Sequence, residues 1–530
     1  MEDAAPPLDA VSADAAAEDA AAEDAGAEDA RPPDLDAAPA VDVPGLDADA
    51  GAGLDAGAGL DAGAGLDAGA GLDGGAGLDA GAPAGCGRLP DPASDPDRFR
   101  AILGCLRDPN PSEATKRAAI DTFIADVEAH DGFPIADGAN FDFVYVRSST
   151  WDAEDDKNTA EDFALSRRVE PIRFSGDANG WATSGDVLTN EGFDFFHLER
   201  AIAAPAGSHY KLVAKDGAQA DVYFSDPLSR RFDFDNNGRI SLIVGPTDHG
   251  HLQWIRSVHA TRLMNDRSIY LWLPPGYESG TGRLPVLYMH DGQNLFDAAM
   301  VNAAPVSWEA DRVMEAEVLA GRARPGILVG VPNNANRFGE YTHVPDDIGG
   351  GAVGGQGDDY VDFLVHDLKP RIDARYRTDP SRAATGVLGS SLGGLISYQA
   401  GLVHPETFRF VGGMSSTFSW GQIGLQNETM VERYARTSTS LAARDQVYYL
   451  DSGGGPGGGC PAGDADNYCQ TVAMRDGLIA AGISTFPDDP SASPLTPANI
   501  NILHWWEQNA THDEAAWSAR LFRALRLFFR

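Results

Sequence analysis

Thr385-Gly386-Val387-Leu388-Gly389-Ser390-Ser391-Leu392-Gly393-Gly394-Leu395 begins as a buried-looking strand, narrows to a turn of small residues and leaves as a helix-like segment reaching Leu402. A G-x-S-x-G turn crosses from strand to helix so sharply that its central residue is strained. Gly389 and Gly393 leave room for that crossing, which puts Ser391 at the carboxyl edge of a sheet with its hydroxyl exposed. The pentapeptide alone says little, because small residues recur by chance. Its weight comes from the strand before it and the helix after it, and together they read as a nucleophile elbow.

On both sides of the elbow the chain alternates. Apolar strand candidates stand at 252–259, 268–273, 284–290, 327–331, 385–389, 410–414, 447–451 and 500–506, separated mostly by helical or long loop segments. This alternation predicts a mostly parallel, eight-stranded sheet in one α/β domain over 249–530. The last stretch, 514–530, is amphipathic through Trp517, Leu521, Phe522, Leu525 and Phe528. A helix docked on the sheet is favoured over one lying on a membrane surface.

Upstream the pattern changes three times. Residues 136–248 read as short strands broken by turns, a β-sandwich pattern. Within them Asp233-Phe234-Asp235-Asn236-Asn237-Gly238 imitates the start of a calcium loop, but Val244 stands where the bidentate Glu belongs, so a hairpin turn is expected. Residues 86–135 place Phe99, Ile102, Leu103 and Leu106, then Ile120, Phe123, Ile124 and Val127, at three- and four-residue steps, which predicts two amphipathic helices. Residues 1–85 are almost all Ala, Asp, Gly, Pro and Glu, with a Gly-Leu-Asp-Ala-Gly-Ala hexad recurring about six times. A segment this acidic and this poor in large apolar side chains is expected to stay a disordered linker.

The 530-residue chain carries a formal charge of −39, about half of it in that linker. No basic stripe offers itself to phosphates, so nucleic acid is not an expected partner. No apolar run is long enough to span a membrane. Met1-Glu2-Asp3 opens nothing like a signal sequence. The four cysteines fall into two local pairs, Cys86 with Cys105 and Cys460 with Cys469, which reads as two short-loop disulfides and an oxidising compartment. A true start upstream, encoding a signal peptide, would reconcile the two and place the protein in the cell envelope or outside the cell; otherwise it is cytoplasmic.

Ser391 needs a base, because a neutral hydroxyl is a poor nucleophile. Of the histidines that follow it, His404 reads as a helix-end residue and His504 falls inside the last strand. His512 lies on the loop after that strand, at the edge that carries Ser391, and is the expected base. The acid that holds it is expected to be Asp466, on a loop between Cys460 and Cys469, with Asp451 and Asp464 as alternatives. Backbone amides of Leu392 and of Gly292 or Gln293 are the expected oxyanion donors. The chemistry asks for no cofactor and no metal.

Five motifs in order then carry a resemblance over about 250–530. They are Tyr270-Leu271-Trp272-Leu273-Pro274-Pro275-Gly276-Tyr277, Leu287-Tyr288-Met289-His290-Asp291-Gly292-Gln293-Asn294, Asn336-Arg337-Phe338-Gly339-Glu340-Tyr341, the Ser390–Gly394 elbow and His512-Asp513-Glu514-Ala515-Ala516-Trp517. Together they resemble the Putative esterase family of the α/β-hydrolase superfamily, which includes enterochelin esterases, feruloyl esterases and S-formylglutathione hydrolases. The resemblance implies an α/β-hydrolase fold and a serine carboxylesterase using Ser391 and His512. Pro456 stands where the family often has its acid, so the Gly-rich insertion after Gly453 displaces that residue. Arg337 and Glu340 either orient substrate or form an ion pair. Arg173-Phe174-Ser175-Gly176-Asp177-Ala178-Asn179-Gly180-Trp181, with Tyr210-Lys211-Leu212 and Ser225-Asp226-Pro227, resembles the immunoglobulin-like domains that precede enterochelin esterases and glycogen-branching enzymes. There Trp181 is expected in packing rather than as a sugar-stacking platform. The implied substrate is a siderophore lactone or a polysaccharide-linked acyl ester; a glycan-binding protein with an inactive hydrolase domain is the reading from another class.

Overall fold

The computed structural model describes residues 86–89, 93–147, 169–216, 218–300, 306–455, 460, 465–484 and 501–530; the expectations for 1–85 and for Asp464 lie outside them. Two helices open the described chain. Ser94 caps Asp95–Arg107 by accepting from Asp97 N, and Ser112 caps Glu113–Ala129 by accepting from Thr115 N. Their apolar faces meet through Phe99, Ile102, Phe123 and Val127. The Cys86–Cys105 disulfide ties the first helix to the segment before it.

Strands Ile135–Asp137, Asn140–Val146, Phe195–Ala201 and Thr189–Asn190 form a four-stranded sheet. It faces a layer made of Val169–Gly176, His209–Lys215, Asp221–Phe224, Arg231–Asp235 and Gly238–Leu242. Phe141, Phe143, Tyr145 and Phe196 from the first interleave with Phe174, Tyr210, Leu212 and Phe224 from the second. The stretch that imitates a calcium loop is a hairpin: Asp235 pairs with Gly238, and its carboxylate accepts from Asn237 N at 2.7 Å. Trp181 departs from expectation. It is 37% exposed, with its Nε1 donating to Asp177 at 2.9 Å, because the chain turns there at a φ of 62° and carries the ring off the core.

The second layer continues into the C-terminal sheet. Phe232 pairs with Leu252 and Arg231 with Gln253, antiparallel, so the sheet has thirteen strands. The eight strands expected from the sequence are the larger part of it and do not close it; an open edge at His251–Ala260 would leave unpaired backbone groups, and the upstream layer pairs with them. From that edge the order is His251–Ala260, Asn265–Leu273, Ile327–Val331, Val286–His290, Thr385–Ser390, Phe410–Met414, Val447–Ser452 and Ile502–Trp506. Asn265–Leu273 runs antiparallel to both neighbours, and the pairings beyond Ile327–Val331 are parallel.

The parallel strands are buried on both faces, which explains their unbroken apolar runs. One face packs beneath the helix Leu392–Val403, apolar on nearly every side. The other packs against Glu514–Phe528 through Trp517, Leu521, Leu525 and Phe528, so that amphipathic helix is docked on the sheet. Among the described residues no helix is long and apolar enough to cross a membrane.

Candidate active site

Strand Thr385–Ser390 and helix Leu392–Val403 are separated by a single residue, Ser391, at φ 54° and ψ −122°. A side chain in that region of backbone space costs about 1–3 kcal/mol, so the surroundings must impose it. Ser391 N donates to Met414 O at 2.9 Å, and Ser391 O accepts from Thr417 N at 3.2 Å. A Cβ on Gly389 would stand 2.6 Å from the Gly393 carbonyl carbon, so the crossing closes only with glycine there. The Ser391 hydroxyl meets Thr417 Oγ1 at 3.4 Å.

His512 lies on the loop after strand Ile502–Trp506, and its Nδ1 donates to Asp466 Oδ1 at 2.6 Å. An ionised carboxylate only accepts, so Nδ1 carries the proton and Nε2 is left with its lone pair. Asp466 is 2% exposed while the imidazole is 39% exposed, an anchored carboxylate holding a reachable imidazole. The other oxygen of Asp466 accepts from Ser415 Oγ at 2.7 Å and from Gly453 N. Asn467 extends the anchor by donating to Ser415 O at 2.7 Å and to Thr417 Oγ1 at 3.5 Å. A continuous path of contacts thus joins Ser391, Thr417, Asn467, Asp466 and His512. Ser391 and His512 themselves are not in hydrogen-bond contact. The Cys460–Cys469 disulfide closes the loop that carries Asp466, between its two half-cystines.

Asp451 does not meet His512. It is fully buried, accepts from Tyr449 OH at 2.7 Å and from Arg520 Nη2 at 3.3 Å, and burial raises its carboxyl despite the guanidinium. Arg520 lies 3.7 Å from Asp466 as well, and Trp517 donates to Ser415 Oγ at 3.1 Å while its ring edges His512 at 5.0 Å. Sequence reasoning missed Ser415, Thr417, Asn467 and Arg520. One signal existed for the last: Arg520 falls on the apolar stripe of its helix, where a charge needs a buried partner.

Beside the elbow, Asp291 turns the chain at φ 56° into Gly292-Gln293-Asn294. A Cβ on Gly292 would come within 2.6 Å of Val331 N, so this loop lies directly on the neighbouring strand. Among the described residues neither Gln293 N nor Leu392 N donates to a backbone carbonyl, which leaves both amides free. Arg337 grips Asp291 through two hydrogen bonds, at 2.9 and 3.0 Å. Burial alone would raise Asp291, but Arg337 holds it below the usual carboxylate range. Arg337 and Glu340 are therefore not each other's partner. Glu340 is fully buried and bound by Arg267 at 3.0 Å and Asn334 at 2.8 Å, so the short helix that carries both residues gives each a separate partner.

A strained serine, a carboxylate-held imidazole and a loop of free amides gather at one sheet edge, and residues 260–483 match the family described as Putative esterase. Over 156 residues the chain is 28% identical to the uncharacterized protein YbbA of Bacillus subtilis, a match covering 29% of this chain and 58% of that protein. Similar solved structures include a ferulic acid esterase, at TM-score 0.39 and 17% identity over 53% of this chain and 99% of that one. An IroE-like serine hydrolase from Shewanella oneidensis matches at TM-score 0.39 and 18% identity, over 52% and 80%. The enterobactin esterase FES from Shigella flexneri matches at TM-score 0.36 and 15% identity, over 73% and 93%.

Proposed function

We propose that the chain is a serine carboxylesterase whose catalytic residues are Ser391, His512 and Asp466. The observation that carries this reading is the 2.6 Å bond between His512 and Asp466 beside a serine at φ 54° within an esterase-family segment. His512 Nε2 takes the Ser391 proton as Oγ attacks the ester carbonyl, and returns it to the leaving alkoxide. Water, deprotonated by the same nitrogen, then cleaves the acyl-enzyme to the acid and restores Ser391. Leu392 N–H and Gly292 or Gln293 N–H meet the oxyanion, and Arg337 fixes that loop through Asp291. Ser391 and His512 come into hydrogen-bond contact when substrate displaces the hydroxyl from Thr417.

The leading substrate class is a siderophore lactone of the enterochelin type, with the upstream sandwich acting as an immunoglobulin-like module of an eight-stranded α/β-hydrolase domain. A second reading is feruloyl or acetyl ester cleavage on polysaccharide. The charge balance of 40 basic against 79 acidic residues favours it, because a tricatecholate anion would be repelled. The two disulfides support an oxidising compartment for this activity. Comparing kcat/KM on a tricatecholate lactone, a feruloyl sugar and acetylated xylan decides between them. Equal inertness of wild type and Ser391→Ala on every ester, with the sandwich still retaining polysaccharide, would leave only the glycan-binding reading.

A further inference from the structure

The elbow helix has a second chemistry-bearing end. His404 caps its C-terminus, and there it meets Asp362 and His366 from the adjoining helical stretch 357–375. His404 Nε2 stands 3.5 Å from Asp362 Oδ1, and His366 Nε2 stands 3.7 Å from the same oxygen. All three donor atoms lie within 4.8 Å of one another. Ligands at about 2.0–2.1 Å from a tetrahedral zinc are separated by about 3.3–3.4 Å, so the cluster needs only small adjustments to close on one ion.

Three further features prepare it. His404 Nδ1 donates to Glu406 Oε1 at 2.7 Å, which fixes the tautomer and turns Nε2, with its lone pair, toward Asp362. Asp362 divides its oxygens: Oδ2 receives Arg262, and Oδ1 faces the two imidazoles. His366 lies in a widened π-turn, Phe363–Leu368. Pro370 lacks the N–H that an α-helix would aim at the His366 carbonyl, and the wider turn relieves that mismatch. His366 remains 64% exposed, so an ion has an open approach from solvent.

We propose that Asp362, His366 and His404 form a divalent transition-metal site of the zinc class, with water completing the coordination. Two imidazoles and one carboxylate suit zinc over calcium or magnesium. The elbow helix has 12 residues, which puts the site about 18 Å from Ser391, so the ion clamps two helices together and takes no part in ester cleavage.

The test uses the full-length protein after chelator treatment, titrated with zinc chloride by calorimetry, with cobalt(II) as a spectroscopic probe. The expected result is one saturable zinc per chain, a tetrahedral cobalt absorption band and a melting temperature raised by zinc. His366→Ala and His404→Ala abolish all three, while Glu406→Gln weakens zinc binding about 10- to 100-fold. His366 is exposed, so its variant folds. Zinc binding of equal strength in wild type and His366→Ala, such as the acidic linker could supply, overturns the proposal, as does no saturable binding.

Discussion

The two ends of the C-terminal sheet are built on different terms. At the carboxyl ends of its parallel strands several sharp turns fall on residues with side chains: Asp291, Ser391, Ser415 and Asn509 all have positive φ, as does Asp466 farther along the chain, with Gly454 beside them. At the amino-end edge of the parallel strands positive φ falls on Gly276, Gly321 and Gly482, and on Asp445. Glycine is the low-cost answer to such a turn. Keeping serine and aspartate there costs stability, and the cost is borne where side chains have work to do.

Replacing the strained serine by glycine should break the contrast most sharply. Ser391→Gly is expected to lose about 10⁵- to 10⁶-fold in kcat on p-nitrophenyl acetate. It is also expected to be about 1 kcal/mol more stable than Ser391→Ala by denaturant melting, because glycine relieves the turn. Next comes the pair of carboxylates flanking Arg520. Asp466→Asn should lower kcat about 10³- to 10⁴-fold, since the imidazole loses the group that holds its tautomer. Asp451→Asn should instead cost about 3 kcal/mol of stability by leaving buried Arg520 with only its longer contact to Asp466, with a much smaller loss of rate per folded molecule. If Asp451→Asn proved the more damaging to rate, the assignment of the acid would move to it.

The framework beneath the edge supplies a pH test. Burial lowers His290 to about 3 and both His343 and His504 to about 4, so all three stay neutral in the fold. The unfolded chain takes up those protons near pH 6.5. Stability is therefore full above pH 6.5 and falls as pH drops from there toward 4, since the unfolded state binds more protons. Melting curves across that window should show it, and a flat profile would contradict the neutral burial of these rings. The smallest effect belongs to the amino end: Asp445→Gly should leave kcat/KM within about twofold while gaining a few tenths of a kcal/mol.

Much of the edge was legible because each part of it has a local signature. Small residues between an apolar strand and a helix mark Ser391, and a polar loop after the last strand marks His512. Asp466 was legible only as a loop residue between two cysteines, because its partnership with His512 spans 46 residues and leaves no periodic trace. The split of Arg337 and Glu340 into separate pairs depends on Arg267 and Asp291, distant in sequence, and no spacing rule finds them. The continuation of the sheet past His251–Ala260 was hidden for a similar reason: strand edges pair through backbone groups that every sequence has. Trp181 shows the opposite error, where a large aromatic invited a packing assignment and the side chain is instead 37% exposed.

The most direct measurement is covalent capture of the nucleophile. An alkyl fluorophosphonate incubated with the full-length protein, followed by peptide mass spectrometry, is expected to leave one adduct, on Ser391, formed far more slowly in Asp466→Asn and absent in Ser391→Ala. Labelling of a different residue, or no labelling of wild-type protein that melts cooperatively, would contradict the account.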